Sequence, residues 1–518
     1  MRRRSSARRH LRIPLLAVVL LLTAAACGAS AALVDLLSTP NDLLTTVFHQ
    51  VTGGVNIAAA PVQQNPEPPL TAVPPPACGA GSHPDPAPPD GRVPASVMPD
   101  AERAGFTCNL SLVAHQGHSG GFKVWRYFDP AGHECAYYDT TLLFPLNALR
   151  LDGTSQGVAV IDMSNPAHPV QTETLTSLPM LSPHESLNLD PQRGLLAAVL
   201  GNPATYPGRV AIYDVRHDCR HPVLDAEGQY ARWGHESGMS PNGTFWATGT
   251  GTPALAAIDT TDPHHPKTVW DGNVYVHGLN ISADGNRAYL ADATEKKLII
   301  LDTSQVQQHK AGPQVREISA LTWQGVSIPQ NAIPFTSHGH PYLLEFDEYA
   351  TGTYQGASNV PGGVRIIDIA DENHPRVVSD IRLQIHQPAA HAAASGDPGA
   401  LSPVQGYAAH YCNIPTHADP AIVACSMINS GLRVFNIQNL LHPREIAYYV
   451  SPPTPRAENG FMASDFAMSR PEFSPERRQI WYTDGTSGLY VLQLSPTAWP
   501  AAARPHLLLT TTTRHSCT

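Results

Sequence analysis

The sequence predicts an all-β fold, a closed propeller of seven four-stranded blades. Composition is the first observation: 49 Pro and 39 Gly stand against only 15% charged residues, a balance that indicates many turns and few solvated helices. A β-branched segment that recurs seven times is the second. The third is a strand that precedes the first repeat and has no blade of its own. Closing the ring removes the exposed strand edges that an open sheet must protect.

The repeated segment is an alternating apolar strand that ends in Asp or a substitute for it. Such β-branched runs predict strands, and the Asp side chain can cap the tight turn that follows. The starts of the copies lie 52, 45, 43, 66, 68 and 57 residues apart. The seven copies are Val158-Ala-Val-Ile-Asp162, Val210-Ala-Ile-Tyr-Asp214, Leu255-Ala-Ala-Ile-Asp259, Leu298-Ile-Ile-Leu-Asp302, Val364-Arg-Ile-Ile-Asp368, Leu432-Arg-Val-Phe-Asn436 and Leu489-Tyr-Val-Leu-Gln493.

Each repeated strand has further strands on either side of it. Before Leu298 the hairpin turn Ala283-Asp-Gly-Asn286 separates two apolar runs, and Arg316-Glu-Ile-Ser-Ala-Leu-Thr-Trp323 follows as a fourth strand. Four strands per repeat describe a propeller blade. The unassigned strand at 109–115 is expected to complete blade seven, so the propeller is predicted to span residues 106–495.

The turns after two of the repeats carry a related phrase. Asp162-Met-Ser-Asn-Pro-Ala-His-Pro169 and Asp368-Ile-Ala-Asp-Glu-Asn-His-Pro375 resemble the LVIVD-repeat family, which is related to the YVTN propellers. The resemblance covers about residues 108–494 and implies a propeller fold in an exported bacterial lipoprotein. It implies little about activity, because propellers host many unrelated functions.

The N-terminus is typical of an export signal. Five arginines in the first nine residues precede the apolar run Ile13–Ala26, and Ala24-Ala-Ala-Cys27 resembles a lipobox. Residues 1–27 are therefore predicted to be a signal peptide that ends at a lipidated Cys27. An uncleaved membrane anchor and a twin-arginine signal are the alternatives.

Three further segments complete the predicted organisation. Residues 28–55 form a short N-terminal segment, 56–105 a Pro-rich linker that acts as an extended spacer, and 496–518 a flexible tail. The protein is then expected at the outer face of the cytoplasmic membrane, in the cell envelope, or secreted.

Eight cysteines in an exported chain favour disulfides. Cys412 and Cys425 flank a predicted hairpin and are the expected pair. Lipidation of Cys27 would leave seven thiols, an odd number, and small buried core thiols are the alternative to disulfides.

The charge balance excludes one class of partner. A formal net charge of −10 provides no basic surface for phosphates, so nucleic-acid binding has no basis. The membrane, reached through the N-terminal lipid or anchor, remains an expected partner. A cell-surface protein, a glycan or a small ligand at the propeller rim is the other.

One position of the innermost strand is His in four blades. The register counted from the hairpin turns gives His184, His235, His277 and His410, whereas Trp125, Asn331 and Ser469 fill this position in blades one, five and seven. Imidazoles on separate rigid strands are what a transition-metal site requires. Repetition by duplication, with each ring bridging neighbouring blades by hydrogen bonds, explains the same pattern without a metal.

Acidic residues accompany two of these histidines. Glu185 and Glu236 follow His184 and His235 in the phrase His-Glu-Ser, and strand alternation turns them away, which favours a supporting role over direct ligation. The pair Asp347-Glu348 is expected to form an ordinary solvated turn, with a Ca²⁺ site as the alternative.

Two functions follow from these patterns. The first is a membrane-tethered binding or scaffold module. It is favoured because the sequence predicts a propeller on a stalk and contains no familiar nucleophile motif. The second is a metal-dependent enzyme with a His-lined channel site, oxidase-like because its layout resembles the selenium-binding and methanethiol-oxidase propellers.

Overall fold

The computed structural model describes eleven stretches of the chain. These are residues 53–68, 71–86, 91–94, 96–97, 104–140, 157–201, 204–348, 350–351, 360–397, 406–453 and 465–500. The predicted signal peptide with Cys27 and nearly all of the C-terminal tail lie outside these residues. Within the described stretches, no helix is both long and apolar enough to cross a membrane.

Seven antiparallel sheets of four strands form the blades. The first four blades contain the following strands from the axis outward. Blade 1 has Val124–Phe128, Glu134–Asp139, Val158–Asp162 and Val170–Leu175; blade 2 has Asn188–Asp190, Leu195–Val199, Gly208–Asp214 and Val223–Ala231; blade 3 has Ser237–Met239, Thr244–Thr248, Leu255–Asp259 and Lys267–Gly272; blade 4 has Leu279–Ile281, Arg287–Asp292, Lys297–Asp302 and Arg316–Trp323.

The remaining blades follow the same order. In every blade the predicted repeat is the third strand. Blade 5 has Ile328–Ser337, His340–Glu348, Val364–Asp368 and Arg376–Ile381; blade 6 has Cys412–Asn413, Ile422–Ser426, Leu432–Asn436 and Arg444–Val450; blade 7 has Glu472–Ser474, Gln479–Asp484, Gly488–Leu494 and Leu110–Gln116.

The last blade closes the ring and joins the two ends of the propeller. Leu110–Gln116, from the N-terminal side, pairs antiparallel with Gly488–Leu494, from the C-terminal side. The predicted closure by the strand near Asn109 is confirmed, and with it the seven-bladed fold.

The Asp that ends a repeat shapes the outer turn of its blade. In blade 1, Asp162 Oδ1 accepts the backbone N–H of Ser164, and Asn165 Oδ1 accepts that of Ala167. In blade 5, Asp368 and Asp371 bond Ala370 and Asn373 in the same way. Asp and Asn are favoured at these positions because their side chains accept a hydrogen bond from the backbone N–H two residues further along.

The core is divided into layers between neighbouring blades. Alternate residues of one strand point to opposite faces of the blade and pack in different layers. Val158 and Val160 pack against blade 2, whereas Ala159 and Ile161 pack against blade 7. Six more strands of this kind, one per blade, build the other layers. Because each strand is buried on both faces, its sequence is a nearly continuous apolar run.

Short helical segments lie in the connections. Leu178–Leu181 precedes blade 2 and Ser304–Gln307 lies in blade 4, while the 3₁₀ turn Gln384–His386 and the helix Pro388–Ala393 join blade 5 to blade 6. A two-stranded ribbon of Ala350–Thr351 and Val360–Pro361 extends from blade 5.

The Pro-rich segment is extended, as its composition predicts, but its described residues lie against the propeller. Val62–Asn65 adds a parallel strand to the outer edge of blade 4. Glu67 is buried against Arg365 and Arg382 of blade 5. The expectation of a spacer that stands clear of the domain therefore does not describe these residues, because the outer strands offer free edges and buried cations that bind them.

Three disulfides link distant parts of the chain. Cys78 is joined to Cys108, Cys135 to Cys219, and Cys412 to Cys425. Cys412 and Cys425 are directly opposite in neighbouring strands of blade 6. Cys27 and Cys517 lie outside the described residues.

Substitution Leu492→Ala tests the closing blade. Leu492 is fully buried between blades 6 and 7, so its truncation leaves a cavity and should lower the free energy of unfolding by about 2–5 kcal/mol. Leu441→Ala, at an exposed turn residue, should stay within about 0.5 kcal/mol of wild type. Denaturant titration measures both. Equal effects of the two substitutions would contradict the assigned closure.

Acid is expected to weaken the connection between blades 5 and 6. Burial lowers the pKa of His391 to about 4, so the folded protein resists the proton that the unfolded chain takes up near pH 6.5. Stability is therefore full above pH 6.5 and falls between pH 6.5 and 4, by about 3 kcal/mol from this residue. Unfolding measured at several pH values should show a shallower fall in His391→Gln; an unchanged slope would refute the assignment.

Candidate functional site

Four histidines meet on the propeller axis. His235, His277 and His410 each stand two residues before the innermost strand of their blade, and His184 stands four residues before its strand. All four are buried, with 5% or less of each residue exposed. Their rings contact in sequence: the His184 and His235 centroids are 4.7 Å apart, and those of His235 and His277 are 4.9 Å apart.

Backbone carbonyls of the next blade orient two of the rings. His277 Nδ1 lies 2.9 Å from the carbonyl oxygen of Pro329, and His410 Nδ1 lies 2.6 Å from that of Met468. A carbonyl only accepts, so each Nδ1 donates, and in the neutral ring the lone pair lies on Nε2. The rings therefore do bridge neighbouring blades, and the same bond aims Nε2 at the axis, as it does in metal-ligating histidines.

The Glu185 carboxylate occupies the centre of the four rings. Its Oε2 is 3.1 Å from His235 Nε2, 3.5 Å from His277 Nε2 and 3.8 Å from His184 Nδ1. Its Oε1 is 3.6 Å from His410 Nε2. Glu185 is fully buried, and within the described structure neither of its oxygens makes a hydrogen bond of good geometry.

The expectation that alternation turns Glu185 away is wrong for a local reason. Residues 182–187 do not form a strand, and His184 has a left-handed backbone with φ of 54°. A non-glycine residue in this region is strained, and such strain concentrates at functional sites. The strained backbone lets two successive side chains, His184 and Glu185, face the same cluster.

Glu348 is the second carboxylate of the cluster. Its Oε1 is 3.4 Å from His277 Nε2, and its Oε2 is 3.3 Å from His410 Nε2. The sequence interpretation of Asp347-Glu348 as a solvated turn is wrong, because strand His340–Glu348 runs inward through both residues and buries them. Asp347 instead pairs with Arg365.

The charges of the cluster depend on burial and on the two carboxylates. Burial acts to raise the pKa of Glu185, but the imidazoles, His184 first, outweigh it and hold that pKa well below its usual range. Burial likewise acts to lower the pKa of His277 and His410. The opposing pull of Glu348 and Glu185 raises the pKa of His277 to about 10 and that of His410 to about 9.

His184 behaves differently from those two rings. Burial dominates and holds its pKa well below the usual range, so its ring is neutral. Its Nδ1 is a buried atom without a hydrogen-bond partner among the described residues. The cluster thus contains an ionised carboxylate beside a neutral imidazole.

The spacing of these atoms suits metal coordination. Two groups that share Glu185, one with His184 and His235 and the other with His277 and Glu348, each have their ligand atoms within 4.8 Å of one another. For bonds of about 2.1 Å, two ligand atoms on the same ion stand about 3.0–3.5 Å apart. The closest approaches of His235, His277 and His410 to Glu185 or Glu348 are 3.1, 3.4 and 3.3 Å. Imidazole with carboxylate is a donor set for Zn, Fe, Co, Ni or Cu.

A second layer lies beside the cluster and involves Glu236. Lys123 Nζ lies 2.8 Å from Glu236 Oε1, and Asn331 Nδ2 donates to the same oxygen at 2.7 Å. Burial raises the pKa of Glu236 to about 7, against the opposing effect of Lys123. Glu236 therefore faces away from the imidazoles, as alternation predicts, and the supporting role expected for it remains a prediction.

The residues aligned with the histidines in blades one, five and seven form contacts outside the cluster; Trp125 Nε1, for example, donates to the carbonyl of Leu187. Phe122, not Trp125, packs against the rings of His184 and His410, at centroid distances of 4.2 and 5.6 Å. Asn331 bonds Glu236, and the Ser469 hydroxyl accepts the backbone N–H of Thr483. Sequence reasoning missed Lys123 and Phe122, and the single available signal for them was their position just before an innermost strand.

Another group of potential ligands lies at the first hairpin of blade 1, between its two innermost strands. Asp129, His133 and Asp218 come together there. Asp129 already accepts bonds from His133 and the backbone of Cys219, and Asp218 pairs with Arg220. These contacts account for the group as a structural bridge between blades 1 and 2.

Comparisons with known proteins agree on the architecture. The LVIVD repeat model matches residues 154–176. No curated protein matches the chain at a significant level.

Several solved structures are similar to the chain at low sequence identity. The periplasmic gluconolactonase of Pseudomonas aeruginosa has a TM-score of 0.48 at 16% identity, over 67% of this chain and 91% of its own. A β-propeller domain from Myceliophteria thermophila has a TM-score of 0.47 at 12% identity, over 74% of this chain and 100% of its own. Hydrazine synthase of Kuenenia stuttgartiensis has a TM-score of 0.45 at 11% identity, over 73% and 96%.

These similarities are too distant to transfer an activity. The blade count, the repeat match and the closure of the ring agree with one another without them. The chain is a seven-bladed β-propeller that carries an LVIVD repeat.

Proposed function

We propose that the protein is a metal-dependent enzyme that holds one divalent transition-metal ion on the propeller axis. Glu185 carries the proposal: a fully buried carboxylate with imidazole nitrogens of four blades within 3.8 Å of its oxygens. A buried carboxylate without well-formed hydrogen bonds destabilises the fold, and a cation bound among the four rings offsets that destabilisation. His184, His235, His277, His410, Glu185 and Glu348 would hold the ion.

The carboxylates and the protonated rings support exchange of protons for metal. Ligand imidazoles must be neutral, so a metal ion displaces the protons that His277 and His410 carry in its absence. Metal affinity should therefore rise with pH, toward the pKa values of about 10 and 9 of these rings. A bound ion would act as a Lewis acid or activate a water molecule for attack.

A binding or scaffold role is the competing function. No contact within the described structure favours it, whereas the buried cluster favours chemistry. Metal binding without turnover of any small molecule would leave a structural or binding role for the ion.

We also propose that the protein works outside the cytoplasm. Three disulfides within the described residues support an oxidising compartment, because such bonds are rare in the reducing cytosol. The predicted signal peptide and lipidated Cys27 support the same location. The choice among a lipid anchor, an uncleaved anchor and release remains open.

Metal analysis of the purified protein tests the proposed centre. Wild type should carry about one equivalent of Zn, Cu, Fe, Co or Ni and should gain stability with added metal, by about 4 kcal/mol at a thousandfold excess over Kd. His277→Ala should weaken binding by more than the roughly 10- to 100-fold that loss of a supporting residue costs. Elemental analysis and calorimetry measure both effects.

His374→Ala is the matched control for this substitution. His374 is an exposed histidine of an outer turn that bonds Asp371, and its loss should leave the metal content unchanged. Wild-type protein that holds less than about 0.1 equivalent after reconstitution would overturn the proposal. If His277→Ala fails to fold, His277→Gln, which keeps polar contacts but not the imidazole, takes its place.

A further inference from the structure

A cavity of about 220 Å³ lies in the central channel next to the metal cluster. At about 30 Å³ per water molecule, it has room for a ligand the size of roughly seven waters. Its wall is formed by the innermost strands, with Met239 and Ile281 toward one end and Lys123, Leu279 and Tyr411 toward the cluster. No Asp or Glu is among the described residues that line it.

Two cations line this wall side by side. Lys123 and Arg470, which stand just before the innermost strands of blades 1 and 7, are paired through an isolated parallel β-bridge. Their carboxylate partners, Glu236 and Glu472, do not line the cavity. Arg470 also stacks on Trp125, with its guanidinium 4.1 Å from the ring centroid. Both cations are thus held in place by groups behind them.

Primary amides from three other blades line the same cavity. Asn188, Asn280 and Asn413 use amide N–H groups to bond the neighbouring blade, at Ser237, Asn331 and Pro471. Asn188 Nδ2 lies near two acceptors of Ser237, the carbonyl at 3.3 Å and the hydroxyl at 3.4 Å. The amides of Asn280 and Asn413 each use one of their two N–H groups in these bonds, which fixes the side chains and leaves donor capacity at the wall. Cations and N–H donors on a cavity wall that has no Asp or Glu among its described residues favour the binding of an oxyanion.

The inner end of the cavity adjoins the proposed metal ligands. Leu279 is two residues from His277, and Tyr411 follows His410, their ring centroids 4.7 Å apart. Lys123 bonds Glu236, the neighbour of His235. We propose that this cavity binds small organic carboxylates and presents them to the metal centre. The inference extends the proposed function by naming the class of substrate.

Propionate and its neutral isostere propionamide test the charge of the cavity. Ligand-observed NMR on the full protein, in buffer without competing anions, should show that propionate binds and that propionamide binds at least about tenfold more weakly. Lys123→Met should weaken propionate binding by about tenfold or more. Lys297→Met, which removes a buried, paired lysine of blade 4 outside the cavity, should leave it unchanged.

Removal of the Lys123 charge leaves the buried Glu236 carboxylate without its cationic partner, which could impair folding. A second variant controls for this effect. Lys123→Met combined with Glu236→Gln removes both charges and should lose propionate binding to the same degree. Chelator-treated protein should still bind propionate, which separates this test from the metal test. Equal affinity for the two probes, unaltered affinity in the double variant, or no binding of propionate to wild type would overturn the inference.

Discussion

Closure of the ring is the constraint on which the rest of this structure depends. The pairing of Leu110–Gln116 with Gly488–Leu494 joins segments nearly 400 residues apart and leaves no blade with an open face. Each apolar layer needs a blade on both sides, so an unclosed ring would expose the layer between blades 7 and 1. Closure also places the start of every innermost strand around one axis. Four histidines that are far apart in sequence thereby become neighbours.

The same blade-to-blade contacts prepare the histidines for chemistry. A ring that donates from Nδ1 to the next blade has its tautomer and direction set before any ion arrives. The structural and functional explanations of the repeated histidines are therefore not exclusive. A histidine that bridges two blades already has its ring oriented for ligation. A carboxylate at the centre of several such rings would complete a metal site. Glu185 and Glu348 supply that centre.

The fold could be predicted from the sequence because its rules are local and repeated. A β-branched run followed by Asp specifies a strand and its turn seven times, and the count of these runs specifies the ring. The four histidines could be found for the same reason. Trp125 was assigned wrongly because the innermost strand has five residues in blade 1, Val124–Phe128, but three in blade 4, Leu279–Ile281. A count back from the hairpin turn therefore stops inside the strand of blade 1 and not before it.

The carboxylates could not be predicted, because each depends on an exception to those rules. Glu185 reaches the axis through the left-handed backbone of His184, where strand alternation does not apply. Glu348 reaches it because blade 5 has a second strand of nine residues, longer than its counterparts in the other blades. Neither feature has a sequence signature.

Two buried carboxylates among four imidazoles are an expensive arrangement for a structural core. Apolar residues of similar volume commonly replace a buried ion pair at no loss of stability. The layers between the blades are built mainly from Leu, Ile, Val, Ala and aromatic residues. The buried carboxylate of Asp347, by contrast with that of Glu185, pairs closely with a guanidinium group, that of Arg365. The left-handed backbone of His184 and the Glu185 oxygens, which lack well-formed hydrogen bonds among the described residues, destabilise the fold further. These costs support the proposal that the cluster binds a ligand, and its imidazole and carboxylate donor atoms favour a metal ion as that ligand.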